Sequence, residues 1–258
     1  MKAATLFSLD GETALVTGAS SGLGARFARV LAANGARVAL VARRVERLRR
    51  VVQDIEDAGG IALPLQADVA DREAMEHAFE AAQAAFGPVT ILLNNAGIVQ
   101  PGRLVDQPYE SWRETLAIDL DAVFSNAQIA AGRMIAAGRP GSIINTASIL
   151  AFGASKGLGA YAVAKAGVVQ LTRALALELG SRNIRVNAMA PGYFVTEINA
   201  DFLNSPSGEL IKKDIPLGRF GADGDLDGLV LLLASKAGAF ITGATYVADG
   251  GQMIALRG

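Results

Sequence analysis

Cysteine is absent from the 258 residues of this chain, and histidine occurs only once. The first absence excludes disulfides and thiolate metal sites. The lone His77 lies within an amphipathic helical pattern, so we expect neither a histidine-centred catalytic triad nor a metal site. Neither sign of charge dominates, because the formal net charge is -1, and nothing therefore supports a nucleic-acid partner.

Long hydrophobic runs are missing too, although the chain as a whole is apolar. Apolar residues make up 51% of it and charged residues 19%, a balance that argues against disorder. The apolar stretch over residues 229–243 is interrupted by Lys236, so we expect no membrane-spanning helix. The N-terminal segment reaches Asp10 without the apolar core of a signal peptide. We therefore expect a cytoplasmic protein with no membrane partner.

Strand-like and helix-like patterns alternate along almost the whole sequence. The length suits a single α/β domain over residues 1–258, without internal repeats or linker-like stretches. Such alternation predicts a Rossmann-like, doubly wound and mainly parallel seven-stranded sheet, flanked by helices on both faces. Strands are expected at 13–18, 36–41, 61–69, 89–97, 141–148, 184–192 and 244–251, and helices at 19–33, 45–58, 71–86, 112–137, 161–179 and 225–234.

Two of the expected helices, at 112–137 and 161–179, are apolar on nearly every side. A helix that is apolar all round is buried all round. Helices of this kind flanking one sheet predict that a second copy of the chain covers them, in a symmetric dimer or tetramer. Residues 193–218 show no clean period and several turn residues, and we expect a substrate lid there.

A glycine-rich loop separates the first expected strand from the helix that follows it. Its spacing is Gly18-x-x-x-Gly22-x-Gly24, which differs from the Gly-x-Gly-x-x-Gly fingerprint of the Rossmann fold. Glycines let the backbone turn sharply and approach a pyrophosphate, whose charge then faces the free N–H groups of the helix start. Between a strand and a helix near the N-terminus, this loop predicts a dinucleotide site.

The end of the second strand carries arginine where a carboxylate is typical. Cofactors without a 2′-phosphate usually meet an acidic residue about 20 residues after the glycines, whereas this chain has Ala42, Arg43 and Arg44. A guanidinium suits a 2′-phosphate, so we expect NADP(H) to be preferred, with NAD(H) possible. The alternative is that Arg43 and Arg44 belong only to the solvated face of the next helix.

Two further strand ends are candidate ligand contacts. Asp68 ends the third strand, at the edge of the sheet where ligands bind in this architecture. It either accepts a hydrogen bond from an adenine amine or caps the helix that starts at Asp71. Small residues follow the fourth strand in the segment NNAG at 94–97. There the backbone can pass close to a sugar or a ring, or form an ordinary turn.

Ser148, Tyr161 and Lys165 form the candidate catalytic group. Ser148 ends an apolar strand, while Tyr161 and Lys165 are four residues apart and share one face of the next helix. An ammonium beside a phenol favours the phenolate, and such a phenol can exchange a proton with a carbonyl or alcohol oxygen near neutral pH. The serine hydroxyl can hold that same oxygen. This arrangement performs proton transfer and requires a hydride partner.

Together these motifs resemble the short-chain dehydrogenase/reductase family, over nearly the whole chain and at the length of its single-domain branch. The matching segments are TGASSGLG at 17–24, DV at 68–69, NNAG at 94–97, Ser148, YAVAK at 161–165, PGYFVT at 191–196 and DGG at 249–251.

The resemblance implies a role for each member of the candidate catalytic group, and a tetramer built on the two long helices. Ser148 would orient the substrate oxygen, Tyr161 would be the acid and base, and Lys165 would bind the nicotinamide ribose and tune the tyrosine. Taken with the patterns above, it gives these predicted cofactor contacts: Gly18, Ser20, Ser21, Gly22, Leu23, Gly24, Arg43, Arg44, Asp68, Val69, Asn94, Ala96, Gly97, Tyr161, Lys165, Pro191, Gly192 and Thr196.

One position departs from the family pattern. The family usually has an asparagine in the long helix after the fourth strand, as part of a proton relay through water to the lysine. This chain has Asp119 there. An ionised aspartate accepts hydrogen bonds but donates none, so Asp119 would either stabilise the Lys165 ammonium or support a different water chain. We take it as a candidate relay residue.

We predict an oxidoreductase that transfers a hydride between NADP(H) and a carbonyl or secondary alcohol. Arg182 resembles a residue that meets acyl-carrier protein in 3-oxoacyl reductases, but a surface arginine explains it more simply. A mostly apolar substrate lining fits a hydrophobic ketone or a 3-oxoacyl thioester. It is expected from Ser148, Ile149, Leu150, Phe152, Tyr193 and Phe194.

Two other functions remain open. One is an NAD-dependent alcohol or sugar-alcohol dehydrogenase, against which Arg43 and the missing acid at Ala42 count. The other is a nucleotide-binding regulator that has lost the chemistry. The presence of both Tyr161 and Lys165 counts against that function.

Overall fold

Seven strands form one sheet in the computed structural model, which describes residues 2–196 and 199–254. The strand order is β3-β2-β1-β4-β5-β6-β7, and each neighbouring pair is parallel. The Rossmann-like sheet is thus confirmed, and it is parallel throughout rather than mainly so. The strands are β1 (Thr13–Thr17), β2 (Arg37–Ala42), β3 (Ile61–Gln66), β4 (Ile91–Asn94), β5 (Gly141–Thr146), β6 (Ile184–Pro191) and β7 (Thr245–Ala248).

Helices cover both faces of this sheet. Those in the described ranges are α1 (Ala3–Phe7), α2 (Gly22–Ala33), α3 (Val45–Asp57), α4 (Arg72–Phe86), α5 (Tyr109–Leu116), α6 (Ala122–Ala136), α7 (Gly159–Leu179), α8 (Ala200–Leu203), α9 (Pro206–Lys213) and α10 (Asp227–Ala234).

Strand β1 shows why the predicted strands are continuous apolar runs. All five of its residues are buried, because a parallel strand between two helical layers is covered on both faces. Ala14 and Val16 belong to the core cluster shared with α2, α3 and α10, whereas Leu15 belongs to the cluster shared with α4, α6 and α7. Successive side chains of one strand therefore supply two separate cores.

The helix predicted at 112–137 begins earlier and is not regular. It runs as α5, then as a π turn at Ala117–Asp121, and then as α6. A π turn accommodates one additional residue and frequently occurs at functional sites. Here it carries Asp119. Apolar periodicity does not reveal such a turn, because helices that are apolar on most sides show no change of phase.

Residues 193–218, the predicted lid, contain more helix than their irregular sequence indicated, since α8 and α9 lie within them. Positions 197 and 198 of this segment lie outside the described residues. Helix α10 begins at Asp227, two residues later than predicted. The reason is that Asp225 accepts hydrogen bonds from Arg219 and from the Ala222 N–H instead of entering the helix.

The strand order reverses between β1 and β4. The chain moves outward from β1 to β2 and β3, and then returns to place β4 on the other side of β1. Ligands of open α/β sheets bind beyond the carboxyl ends of the strands at such a point. The glycine loop follows β1, the segment 94–97 begins at the end of β4, and Ser148 follows β5. All three therefore lie along the same edge of the sheet.

Two negative findings apply to residues 2–196 and 199–254. No helix there combines the length and apolar character needed to cross a membrane. No three or more histidine, aspartate or glutamate side chains are grouped so that they could hold a metal ion.

Candidate active site

The glycine loop packs tightly against the segment that follows β4. Gly18 has a φ of +66°, in the left-handed region that favours glycine. A Cβ on Gly18 would lie 2.8 Å from the Cα of Ala96, and a Cβ on Gly24 would overlap the Gly18 carbonyl oxygen. The loop can therefore have no side chains at these positions. What it presents at the sheet edge is backbone.

The start of α2 is a helix end without a capping side chain. Its N-cap is Ser21, whose side chain makes no capping hydrogen bond within the described ranges, and its first turn has no acidic residue. Instead, Nη2 of Arg44 lies 3.1 Å from Oγ of Ser20 and 2.9 Å from Oγ of Ser21. Free N–H groups beside a guanidinium suit phosphate. This cradle therefore fits the phosphates of a dinucleotide.

Arg43 and Asp68 face each other at the ends of β2 and β3. Nη1 of Arg43 lies 3.7 Å from Oδ2 of Asp68, and both side chains are substantially exposed. Oδ1 of Asp68 accepts from the Ala70 N–H, whereas α4 is capped by Asp71 through the Ala74 N–H. The suggestion that Asp68 caps that helix is therefore wrong. Its Oδ2 points at Arg43, near the predicted adenosine end of the site.

Thr17, the last residue of β1, forms hydrogen bonds with the segment that follows β4. The N–H groups of Asn95 and Ala96 donate to its Oγ1 at 3.0 and 3.1 Å, and Nδ2 of Asn95 donates to its carbonyl oxygen at 3.1 Å. These bonds hold the backbone of the segment beside the glycine loop. No pattern in the sequence indicates this role, because a single threonine at the end of an apolar strand is common.

A chain of buried side-chain hydrogen bonds connects α6 to α7 through β4 and β5. Asn126 donates to Asn94, Asn94 donates to Asn145 at 3.0 Å, and Asn145 donates to Thr172 at 3.0 Å. Asn94 is 2% exposed, so its side chain serves this network. Any contact between Asn94 and a cofactor would therefore use main-chain atoms of Asn94. The network braces the helix that carries the candidate catalytic tyrosine and lysine.

Ser148 follows β5 and caps a short 3₁₀ turn at Ile149–Ala151. Its Oγ accepts a hydrogen bond from the Leu150 N–H at 3.1 Å. Because that bond does not use the hydroxyl proton, the proton can still be donated to a substrate oxygen. Leu150 is half-buried and Phe152 is 45% exposed. Both lie within four residues of the serine, as the predicted substrate lining requires.

Helix α7 presents Tyr161 and Lys165 one turn apart. Nζ of Lys165 lies 5.4 Å from the centre of the Tyr161 ring and donates to the carbonyl oxygen of Thr146 at 3.1 Å. Lys165 is 3% exposed, whereas Tyr161 is half-buried. Helix α7 also packs against the 3₁₀ turn after Ser148. The three predicted catalytic residues therefore gather at the carboxyl end of β5.

A buried carboxyl group adjoins that lysine. Asp119 is 0% exposed, and its Oδ1 lies 4.0 Å from Nζ of Lys165. The same oxygen accepts from the Ile98 N–H at 2.9 Å, while Oδ2 is buried with no partner among the described residues. Burial raises the pKa of the Asp119 carboxyl, and the Lys165 charge and the Ile98 N–H oppose that rise.

The segment after β6 lies beside the glycine loop. A Cβ on Gly22 would lie 3.4 Å from the methyl group of Thr196. Pro191 ends β6, and the Gly192 N–H donates to the carbonyl oxygen of Ala248. The start of the predicted lid is thereby fixed next to the phosphate cradle.

Tyr193 and Phe194, two of the predicted substrate residues, line a cavity of about 250 Å³ at the ends of β6 and β7. Neither Ser148 nor Tyr161 lines that cavity. Phe194 is 6% exposed and belongs to a core cluster, and burial raises the pKa of the Tyr193 hydroxyl. Their contact with a substrate stays a prediction, and the structure favours Tyr193 over Phe194 for it.

The two parts of the site suit one kind of chemistry. The glycine loop, the start of α2 and Arg44 fit the phosphates of a dinucleotide. Two strands further along the sheet, at the end of β5, a tyrosine supported by a lysine and accompanied by a serine can handle the proton of an alcohol or carbonyl oxygen. Such a combination defines a dinucleotide-dependent oxidoreductase.

Known proteins agree with this class. The family model described as enoyl-(acyl carrier protein) reductase matches residues 18–253. The chain is 38% identical to D-threitol dehydrogenase of Mycolicibacterium smegmatis, over 96% of this chain and 95% of that one. It is 37% identical to the 3-oxoacyl-acyl-carrier-protein reductase of Staphylococcus aureus, over 93% and 98%. A crystal structure of gluconate 5-dehydrogenase from Burkholderia cenocepacia, in complex with NADP and tartrate, matches with a TM-score of 0.94 at 34% identity, covering 99% of this chain and 100% of that one.

The chain therefore belongs to the short-chain dehydrogenase/reductase family. It is an NAD(P)-dependent oxidoreductase that acts on CH–OH or C=O groups.

Proposed function

We propose that the protein transfers a hydride between NADP(H) and the carbon of a ketone or 3-oxoacyl group, with reduction as the principal direction. The observation that carries this proposal is the buried ammonium of Lys165, 5.4 Å from the centre of the Tyr161 ring, beside the strand end that holds Ser148. A phenol supported by a cation in this way can give and take a proton near neutral pH.

Each side chain then has one task at the substrate oxygen. Ser148 donates a hydrogen bond and holds the oxygen in place. Tyr161 gives its proton to that oxygen during reduction and takes it back during oxidation. Lys165 is fixed by the Thr146 carbonyl oxygen and keeps further N–H groups for the phenol and a ribose hydroxyl. The bound nicotinamide supplies or accepts the hydride.

Arg44 supports the proposed preference for NADP(H). Its guanidinium is oriented at the start of α2 by the hydroxyls of Ser20 and Ser21, so a 2′-phosphate would meet a donor that is already in place. Arg43, which directly follows β2, is paired loosely with Asp68 after β3. The related gluconate 5-dehydrogenase structure contains NADP. NAD(H) is the alternative cofactor.

The proposed substrate is hydrophobic, because Leu150, Phe152 and Tyr193 dominate the predicted lining. The Staphylococcus aureus relative is a 3-oxoacyl reductase, which fits a 3-oxoacyl thioester. The similarity to D-threitol dehydrogenase favours a second candidate, a sugar-alcohol dehydrogenase that runs toward oxidation.

The test is the consumption of NADPH and NADH over hydrophobic ketones, β-keto esters and a 3-oxoacyl thioester, with sugar alcohols assayed in the reverse direction. Turnover of a ketone or thioester with NADPH is expected. Faster turnover of a sugar alcohol with NAD would favour the second candidate. Tight cofactor binding with no turnover of any substrate class would contradict the proposal and favour a non-catalytic regulator.

Three broader features belong to the same proposal. The segment 193–218 acts as a lid over the substrate. The protein works in the cytoplasm, as its sequence leads us to expect. It assembles as a homotetramer, or at least a dimer, since α6 and α7 leave large apolar side chains uncovered. Light scattering measures the assembly directly. The uncovered side chains are Phe124 at 45%, Ile135 at 41%, Val163 at 49% and Leu177 at 87% exposure.

A further inference from the structure

The environment of Asp119 differs from that of an ordinary buried polar residue. The residue lies on the π turn between α5 and α6, at 0% exposure. One oxygen accepts from the Ile98 N–H, and the other has no partner in the described part of the chain. A buried carboxylate with a free oxygen is costly unless a positive charge lies close to it.

Lys165 supplies that charge from α7. Its Nζ is 4.0 Å from Oδ1 of Asp119, and the side chains are 4% and 0% exposed respectively. The loop after β4 contributes the N–H group of Ile98, and Lys165 is the charged residue among those described that acts on the Asp119 carboxyl. The ionisable groups at this point are thus the Asp119 carboxyl, the Lys165 ammonium and, on the far side of the lysine, the Tyr161 phenol.

Gly97 keeps the space between the two charges open. A Cβ at this position would lie 2.7 Å from Oδ1 of Asp119 and 3.4 Å from Nζ of Lys165. Any larger residue would therefore displace the Asp119 carboxylate from its place beside the ammonium. The absence of a side chain here is a requirement of the charge pair as well as of a close approach to a cofactor.

We propose that Asp119 is an anionic positioning residue. Its carboxylate holds the Lys165 ammonium in place and partly cancels the effect of that positive charge on the Tyr161 phenol. The proposal rests on the role assigned to Lys165 in the proposed function. The family's usual asparagine is neutral, and this chain has a charge instead. Because like charges oppose one another, the carboxylate opposes formation of the Tyr161 phenolate.

Removal of this charge should move the pH dependence of the site in one direction. In the variant Asp119→Asn, Lys165 acts on the phenol without an opposing charge, so the phenolate forms at lower pH. This change should move the formation of tyrosinate toward acid, by roughly one pH unit, the size of shift that a neighbouring charge produces.

The first experiment needs no substrate. Tyrosinate formation is followed by ultraviolet absorbance during a pH titration of the full-length wild type and of Asp119→Asn. One of the four tyrosines should ionise at lower pH in the variant, and that difference should disappear when Tyr161→Phe is added. Asp121→Asn is the matched control, because it removes an exposed carboxylate from the same π turn and should leave the titration unchanged.

The second experiment follows kcat of alcohol oxidation against pH, and its rising limb should move to lower pH in Asp119→Asn. An unchanged tyrosinate titration in that variant would overturn the proposal. If Asp119→Asn does not fold, Gly97→Ala is titrated instead and should give the same acid shift, while an unchanged curve would equally overturn the proposal. Absence of turnover in the wild type, with the tyrosinate shift present, would count against the proposed function and leave this inference standing.

Discussion

The candidate phosphate cradle and the candidate catalytic group are built by opposite means. The cradle is mainly backbone: Gly18 and Gly24 can carry no side chain, and no side chain among the described residues caps the start of α2. The catalytic group is made of side chains, each held by a specific bond, as Lys165 is by the Thr146 carbonyl oxygen. A cradle of this kind is damaged by adding atoms, whereas the catalytic group is damaged by removing them.

The largest expected effect comes from removing one oxygen from the catalytic group. Tyr161→Phe should lower kcat by roughly 10²–10⁴-fold, because the proton donor and acceptor is lost. The dissociation constant for NADPH should stay close to that of the wild type, since the cradle is untouched. Tyr109→Phe, which removes a hydroxyl from a residue that is 69% exposed, is the control and should retain full activity. A large loss of NADPH affinity in Tyr161→Phe would show that the two regions are not separable.

A smaller effect is expected from replacing Arg44, the charged side chain beside the cradle. Arg44→Ser should raise KM for NADPH by roughly tenfold to a hundredfold, the value of one or two charge-assisted hydrogen bonds. KM for NADH and kcat with either cofactor should change little. Arg50→Ser removes an exposed arginine from α3, the helix that Arg44 precedes, and should change neither KM nor kcat. Equal losses with NADPH and NADH would assign Arg44 to the pyrophosphate rather than to the 2′-phosphate.

The third effect concerns the stability of the fold and comes from the buried hydrogen-bond network that contacts α7. Thr172 accepts from Asn145 at 3.0 Å and donates to the Val168 carbonyl oxygen at 2.8 Å. Thr172→Val keeps the shape and leaves the Asn145 amide unpaired, so the free energy of unfolding should fall by about 1–3 kcal/mol. Denaturant unfolding measures this loss. Thr172→Ser keeps the hydroxyl and should lose less. Equal losses in the two variants would assign the effect to packing.

The smallest effect is expected next to the lid. The hydrogen bond from Arg219, followed by that from the Ala222 N–H, lowers the pKa of Asp225 from 3.8 to about 2. Because this pKa is lower in the folded state than in the unfolded state, the ionised carboxylate stabilises the protein fully at pH values above 3.8. The stabilisation is lost as the pH falls through about 2. Asp225→Asn should therefore lower the Tm slightly at neutral pH and hardly at all in strong acid. A Tm difference that stays constant across this range would exclude the ionised carboxylate as its source.

Local patterns in the sequence were enough to predict the fold and the position of the glycine loop. Glycine at positions 18, 22 and 24 is visible letter by letter, and a strand buried on both faces is a continuous apolar run. The Tyr161–Lys165 pair was equally accessible, because one helical turn separates the two residues. Each of these features depends on residues that are close together in the chain.

Features that join distant parts of the chain could not be predicted in the same way. The contact from Lys165 to Thr146 uses a main-chain carbonyl oxygen, which any residue has. Phe194 was expected to face the substrate, but two aromatic residues in succession do not reveal which of them turns into the core. Arg44 contacts Ser21 and Ser20, which precede it in the sequence by 23 and 24 positions. Only the parallel pairing of β1 with β2 brings these residues together.

The π turn at Ala117–Asp121 also constrains the length of this chain. A π turn contains one residue more than the regular helix around it, and one residue turns an α-helix by roughly 100°. Deleting a single residue here would let α5 and α6 merge into a regular helix and would remove the local distortion that places Asp119. Single-residue deletions are usually best tolerated in exposed loops. In this protein, a deletion within five residues of one helix would disconnect the acid from the lysine while most of the fold stayed intact.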